Sequence, residues 1–349
     1  MLRIIVILIF RGINAMRRGK LTQNSRNCLF YCVLLLGLIY YNLIIRSAVL
    51  TARGILSKKL KLEDLIVNME SPIEEYEYND SEENRTQKFP TTYLIGAPRC
   101  GTVALMDFLG LHPEVQIVET EIHYFDKYFS NGIDWYKSNM PLSTKYQEVI
   151  ERCNSYFTNP AVPERIFKAR PDAKIILGVR DPIERAVSEY AEMADREARG
   201  KFYKPFREFA FDQGNLGKMN ENWTVLQTGM YAKHLKPWFK YFPRHQIYIY
   251  TAEELVTNPA KIIKDLQVFL QIRYYLRADR FKINGTGRFP CISYSSESEP
   301  EPECLNETMK AVSLKHPNIE WSITHHLKNM YRQHMNDFYN MTGIRFGWI

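Results

Sequence analysis

Metal-ligand spacing is missing from this chain: no CxxC, CxxH or HExxH occurs in its 349 residues, which removes the commonest structural-zinc and metalloprotease readings. Cysteine is scarce, with 6 in all, too few to staple a miniprotein, so the fold must rest on buried apolar area. Glycine and proline stop at 17 each and no internal repeat is visible, which excludes collagen-like and low-complexity classes. The Walker A pattern GxxxxGK[ST] is absent too, and with it the usual signature of a nucleoside triphosphate site. Acidic residues are lacking from positions 1–61, where eleven Lys and Arg stand alone. That local excess explains the formal charge of +7, because the remainder carries 35 basic against 39 acidic residues and gives no hint of a nucleic-acid partner.

What the basic segment does hold is Cys28–Ile45 (CLFYCVLLLGLIYYNLII), 18 residues without a charge. At ~1.5 Å per residue such a helix is about 27 Å long, enough to cross a bilayer's hydrocarbon core. Arg17, Arg18, Lys20 and Arg26 make the denser near flank and favour a cytoplasmic N-terminus. A cleaved signal peptide is the alternative, although the run is long for one and no small-x-small site closes it. Residues 62–87 carry nine acids and a single Arg85, the composition of a solvated stem. The expected organisation is a cytoplasmic tail over 1–27, a signal-anchor span over 28–45, a stem over 46–87 and a folded lumenal domain over 88–349, a single-pass type II membrane arrangement. A lumenal domain could use the Asn-x-Ser/Thr acceptors Asn79, Asn84, Asn222, Asn284, Asn306 and Asn340. It could also close a disulfide, and Cys291 with Cys304 is the natural pair because they bracket a Glu-rich, Pro-containing loop.

From Lys88 the texture becomes that of an α/β domain. Thr91–Gly96, Lys174–Val179 and Gln246–Tyr250 read as buried strands, followed by helical spacing at Ala104–Leu111, from Pro182 through Ala194, and at Ala252–Leu270. Strands alternating with helices argue a central parallel sheet of the nucleotide-binding type. Two segments suit an anion. In Gly96-Ala-Pro-Arg99-Cys100-Gly101-Thr102 a strand enters a tight loop and then a helix, a P-loop-like cradle offering backbone N–H groups, a hydroxyl and a fixed charge. In Arg180-Asp181-Pro182-Ile-Glu184-Arg185, with Ser188 two turns on, an Arg and a hydroxyl could share one phosphate. The plain alternatives are an ordinary strand-to-helix turn and an Asp181 cap with Glu184 and Arg185 solvated.

Taken with Glu121-Ile-His123-Tyr-Phe125-Asp126, Ser155-Tyr-Phe-Thr158-Asn-Pro160, Val162-Pro-Glu-Arg165 and Gly287-Arg288-Phe-Pro-Cys291, these motifs occur in the order of the heparan sulfate glucosamine 3-O-sulfotransferases. The chain resembles that family from about Phe89 to Trp348. The resemblance implies a Golgi enzyme that moves a sulfuryl group from 3′-phosphoadenosine 5′-phosphosulfate to the 3-hydroxyl of glucosamine in the heparan sulfate chains of proteoglycans, without a metal. It implies Glu121 as general base, accompanied by His123 and Asp126. Arg99, Cys100, Gly101 and Thr102 would hold the sulfated phosphate, Arg180 and Ser188 the 3′-phosphate, and Gly287 with Arg288 would cover the nucleotide. Arg152, Arg165, Lys315 and His316 would face the acceptor, with Lys168 and Arg170 as further cations.

The chain departs from the family's pattern inside the site. Arg99 and Arg152 stand where the family has Lys, Cys100 where it has Gly, Val103 where it has Arg and Glu192 where it has Gln. Arg keeps the charge but not the point-like ammonium beside a leaving oxygen, so slower turnover is expected. Two other readings follow: a lumenal donor- or glycan-binding relative with weakened catalysis, or a sulfotransferase for another glycan. A membrane-anchored phosphotransferase is disfavoured by the missing Walker lysine.

Overall fold

The computed structural model describes residues 85–198, 203–212, 215–282, 291–292 and 317–348. Five parallel strands make the central sheet in the order β3-β5-β2-β6-β9: β2 is Thr92–Leu94, β3 Val115–Ile117, β5 Glu148–Arg152, β6 Lys174–Val179 and β9 Ile247–Thr251, while β7 (Phe211–Asp212) and β8 (Asn215–Met219) pair with each other outside it. Alternation along these short strands sends side chains to two separate cores. Tyr93, Ile175, Leu177 and Val179 join one cluster, while Leu94, Ile150, Ile176 and Tyr250 join the other. Burial on both faces is what makes the strands read as apolar runs.

The helix after β2, α1 (Thr102–Gly110), packs with α9 (Pro259–Leu270) on the second cluster through Leu105, Phe108, Leu109, Ile262 and Leu266. On the first cluster lie α2 (Ile133–Ser138), α3 (Val162–Ala169), α4 (Pro182–Ala198), α5 (Phe206–Ala210), α6 (Thr224–Thr228), α7 (Tyr231–Tyr241) and α10 (Trp321–Thr342). Helix α10 docks through Ile323, Leu327, Tyr331, Met335 and Phe338, the spacing of one buried stripe. Because α1 leaves β2 toward one face and α4 leaves β6 toward the other, a crevice opens between the C-terminal ends of β2 and β6. Open α/β sheets bind ligands at such a switch point.

The α/β reading holds, with local corrections. Strands β3 and β5 are additional; they carry Gln116, Glu148, Glu151 and Arg152, which hide an otherwise apolar pattern. The single helix expected over Ala252–Leu270 is two, α8 (Ala252–Thr257) and α9, because Asn258 caps the second through its side chain at 3.3 Å from the Lys261 N–H and Pro259 occupies its first turn. Thr86 and Gln87, assigned to the stem, pair as β1 with β4 (Leu142–Ser143), so ordered pairing starts before Lys88. Arg185 is fully buried rather than solvated, its guanidinium donating to Glu189 one turn on and to the Val225 carbonyl. Among the described residues no helix is long and apolar enough to cross a membrane, and the run 28–45 lies outside them.

Candidate active site

The Gly96–Thr102, Arg180–Ser188 and Glu121–Asp126 segments follow the C-terminal ends of β2, β6 and β3, and Arg152 is the last residue of β5. After β2 the chain turns through Arg99 at φ 66° and Gly101 at φ 74° into α1. Gly101 is required twice over: its left-handed backbone suits glycine, and a Cβ there would lie 2.9 Å from Leu255 Cδ2. The first turn of α1 has no side-chain cap and no acidic residue, so its N–H groups remain for an anion from outside. The Cys100 thiol is no part of this cradle. It is fully buried, with burial pushing it up to about 12, so position 100 can offer a ligand only its backbone.

Across the crevice, Asp181 caps α4, its Oδ1 accepting from the Ile183 N–H at 2.8 Å. The Arg180 backbone is held on both sides by the Tyr231 hydroxyl, which accepts from its N–H at 3.2 Å and donates to its carbonyl at 2.6 Å. Ser188, on the same helix, is buried and accepts from Arg99 Nε at 3.0 Å. Arg99 Nη1 lies 3.2 Å from Glu192 Oε2, one helical turn beyond Ser188. The phosphate-loop arginine is thus laid along α4 and bound at both ends of its guanidinium.

The loop after β3 carries the second half of the site. Glu121 Oε1 accepts from Arg152 Nη1 at 2.5 Å and from Asn154 Nδ2 at 2.8 Å, while Oε2 accepts from the Asn154 N–H at 3.2 Å and faces His123 Nε2 at 3.7 Å. His123, at φ 55°, turns Nδ1 toward Asp126 Oδ2 at 3.2 Å, Ser155 Oγ at 3.1 Å and Cys153 Sγ at 3.3 Å. Ser155 in turn donates to Asp126 Oδ2 at 2.6 Å. An Nδ1 proton aimed at Asp126 leaves the Nε2 lone pair toward Glu121. The two halves are joined: Thr102 Oγ1 donates to Asn154 Oδ1 at 3.0 Å, so one asparagine spans phosphate loop and carboxylate.

Glu121, His123, Asp126 and Arg152 therefore come together, as do Arg99 and Ser188. Arg165 does not face outward; it donates to the Phe125 carbonyl at 2.6 Å and covers the Phe129 ring at 4.4 Å, bracing the loop from below. Lys168 pairs with Glu164 at 2.6 Å on an exposed helix face. Asn222 and Asn340 are exposed; Gly287, Arg288, Lys315, His316, Cys304 and the acceptors Asn79, Asn84, Asn284 and Asn306 lie outside the described residues. Asn154 and Glu151 are absent from the sequence-based site. Glu151 is a fully buried carboxyl beside Arg152, taking hydrogen bonds from the Tyr136 and Tyr156 hydroxyls, and burial raises it to about 7. Tyr156 also receives the Phe125 N–H at 3.3 Å, tying that buried acid to the Glu121–Asp126 loop.

Comparison with known proteins matches the sulfotransferase domain over residues 90–339. The chain is 35% identical over 263 residues to heparan sulfate glucosamine 3-O-sulfotransferase 3B1 of Mus musculus, covering 75% of this chain and 66% of that one. It is likewise 35% identical to heparan sulfate glucosamine 3-O-sulfotransferase 6 of Homo sapiens over 262 residues, 75% of this chain and 74% of the relative. The chain belongs to the heparan sulfate glucosamine 3-O-sulfotransferase family. The overlap with the mouse 3B1 relative spans just under two thirds of that protein's length. Among solved structures, a sulfotransferase from Alicyclobacillus acidocaldarius superposes with a TM-score of 0.55 at 20% identity, over 74% of this chain and 98% of that one, and shares the fold.

Proposed function

We propose that the chain transfers a sulfuryl group from 3′-phosphoadenosine 5′-phosphosulfate to the 3-hydroxyl of glucosamine in heparan sulfate, with Glu121 as general base. The observation that carries this reading is the Glu121 carboxylate, oriented by Arg152 and Asn154 and linked through Asn154 to Thr102 of the phosphate loop. The apolar run 28–45 with its basic near flank supports a type II anchor, and hence a Golgi-lumenal catalytic domain.

The residues present fit the donor. The uncapped N-terminus of α1 would take the sulfated phosphate, with Thr102 and Arg99 beside it, and Arg180 with Ser188 would take the 3′-phosphate. When bound, the donor supplies a sulfuryl group already activated by a phosphate leaving group. A sugar hydroxyl is a weak nucleophile near neutral pH, so Glu121 must accept its proton as the oxygen reaches sulfur. Oε2 is the less occupied atom, taking one N–H, from Asn154 at 3.2 Å, where Oε1 receives two donors. Arg152 then remains on Oε1 and counters charge on the sulfuryl oxygens, a role that needs position rather than proton transfer. His123, fixed from its Nδ1 side, receives or returns the proton through Nε2. For Arg99 to meet the donor it must leave Glu192, since one guanidinium edge serves one anion at a time.

The pairing of Arg99 with Glu192 also favours a second reading, a donor- or glycan-binding relative of low activity. Sulfate transfer from radiolabelled donor to heparan sulfate by the purified full chain separates the two. Incorporation yielding 3-O-sulfated glucosamine, abolished by Glu121→Gln, supports the enzyme; binding of the donor with no transfer to heparan, chondroitin or other glycans replaces it with the second reading.

A further inference from the structure

Glu151 is the one fully buried acid among the described residues, and the transfer step makes no use of it. Its carboxyl lies in a box of aromatic rings. Tyr136 on α2 donates to Oε2, and Tyr156, in the turn after β5, donates to Oε1 at 2.8 Å. The same Tyr156 hydroxyl accepts the Phe125 N–H at 3.3 Å. The Phe125 ring meets Tyr93, Tyr136 and Tyr156 edge-on, with centroids 5.8, 5.1 and 5.9 Å away, and Tyr124 stacks on Tyr136 at 4.4 Å. Tyr124 and Phe125 are the two residues between His123 and Asp126. The middle of the base loop is therefore seated on the same two tyrosines that hold the buried carboxyl.

We propose that Glu151 is a positioning residue for the Glu121–Asp126 loop, acting through Tyr136 and Tyr156, and that the loop is held for transfer while Glu151 is neutral and loosens when it ionises. The groups around the carboxyl set this direction. Tyr136 faces it from α2, Tyr93 from β2, Tyr156 and the buried Cys153 thiol from the end of β5 and the turn beyond, and Glu121 and Asp126 from the base loop; Arg170 and Asp172 act on the far side, at Tyr93. The two hydroxyls favour the ionised form, but burial outweighs them and the two acids of the loop add to it, which raises the carboxyl to about 7. A neutral Glu151 leaves the box free of charge and donates its own proton to a tyrosine oxygen. Ionisation releases that proton to solvent and turns both hydroxyls onto a buried charge. It also sets a third carboxylate against Glu121 and Asp126, near the place where negative charge gathers on the sulfuryl oxygens. Each of these effects acts on the seat of the loop.

Only the effect on turnover rests on the sulfuryl-transfer reading; the hold on the loop is read without it. Hydrogen exchange on the full chain, followed by mass spectrometry in peptides covering residues 121–128, reports the protection of the Phe125 N–H. Corrected for the intrinsic rise with pH, wild-type exchange should quicken by roughly 3–10-fold as pH passes about 7, the scale of one lost hydrogen bond, and should stay level in Glu151→Gln. In transfer assays the ratio of the rate at about pH 8 to that at about pH 6 should be roughly 3–10-fold higher in Glu151→Gln than in wild type, because the glutamine cannot ionise. Tyr156→Phe keeps the ring and removes the bridge, and serves as the second variant should the first fail to fold. It should quicken exchange at every pH and lower kcat by about 10-fold with donor KM unchanged. Wild-type exchange that is level with pH, or a wild-type rate ratio retained in Glu151→Gln, overturns the proposal. So does Tyr156→Phe with wild-type exchange. Exchange that follows Glu151 in a chain that transfers no sulfate leaves the hold on the loop standing and overturns the enzyme.

Discussion

Two arginine–glutamate pairs, Arg99 with Glu192 and Arg152 with Glu121, are built differently. Arg99 meets Glu192 on the open side of α4, where the carboxylate is 48% exposed and has one described partner. Arg152 meets Glu121 with the two side chains 17% and 22% exposed, and Asn154 adds two further hydrogen bonds to the same carboxylate. An exposed ion pair is worth about 0–1 kcal/mol and is screened by salt. A shielded and multiply bonded one fixes geometry, and removing either partner leaves a stranded charge. The first pair is thus suited to exchange its glutamate for an incoming anion, the second to hold a carboxylate still.

The comparison breaks hardest at the base. Glu121→Gln keeps the hydrogen-bonding shape but cannot accept the sugar's proton, and should cut transfer by roughly 10²–10⁴-fold while leaving adenosine 3′,5′-bisphosphate binding, read by calorimetry, unchanged. Asn154→Ala severs the contact between Thr102 and Glu121 without touching a charge. It is expected to lower kcat by about 10–100-fold with less effect on donor KM, the sign of lost positioning; equal loss in both would assign Asn154 to binding instead.

Glu151→Gln tests how far the shielding of the base half depends on the buried acid beneath it. Burial raises its carboxyl from the ordinary 4.5 to about 7, so the fold disfavours ionisation. Native stability contributed by this group is intact below about 4.5, declines as pH rises toward 7 and stays low above it. The glutamine variant should therefore match wild type near pH 4.5 and exceed it above pH 7, by about 1–3 kcal/mol in denaturant unfolding. A constant difference across pH would remove Glu151 from the titration. The smallest effect belongs to the exposed pair: Glu192→Gln should change stability by less than about 0.5 kcal/mol and lower donor KM a few-fold by releasing Arg99. An unchanged KM would mean the pair does not compete with the donor.

Donor-side features were legible because their grammar is local. A strand, a glycine loop and a helix start within twelve residues announce an anion site at Gly96–Thr102, and Asp181-Pro182 announces the start of α4. On the base side the resemblance named Glu121, His123, Asp126 and Arg152, but the residues that hold them were out of reach. Asn154 and Cys153 meet Glu121 and His123 only because β3 and β5 pair in parallel, a contact between segments some thirty residues apart. Charged residues misled in the same direction each time. Glu151 concealed a strand, Arg185, which the plain alternative leaves solvated, is buried against Glu189, and Arg165 braces a loop where a substrate contact was expected. Charge type alone cannot tell whether a partner waits in the interior.

The single hydrogen bond from Thr102 to Asn154 has a kinetic meaning. A donor anion that draws the threonine hydroxyl to itself also relaxes the amide that orients the base, so occupancy of one substrate pocket alters the readiness of the other. Linkage makes that influence equal in both directions. The two substrates are accordingly expected to meet in one ternary complex, with the spent nucleotide as an inhibitor whose strength changes with acceptor concentration.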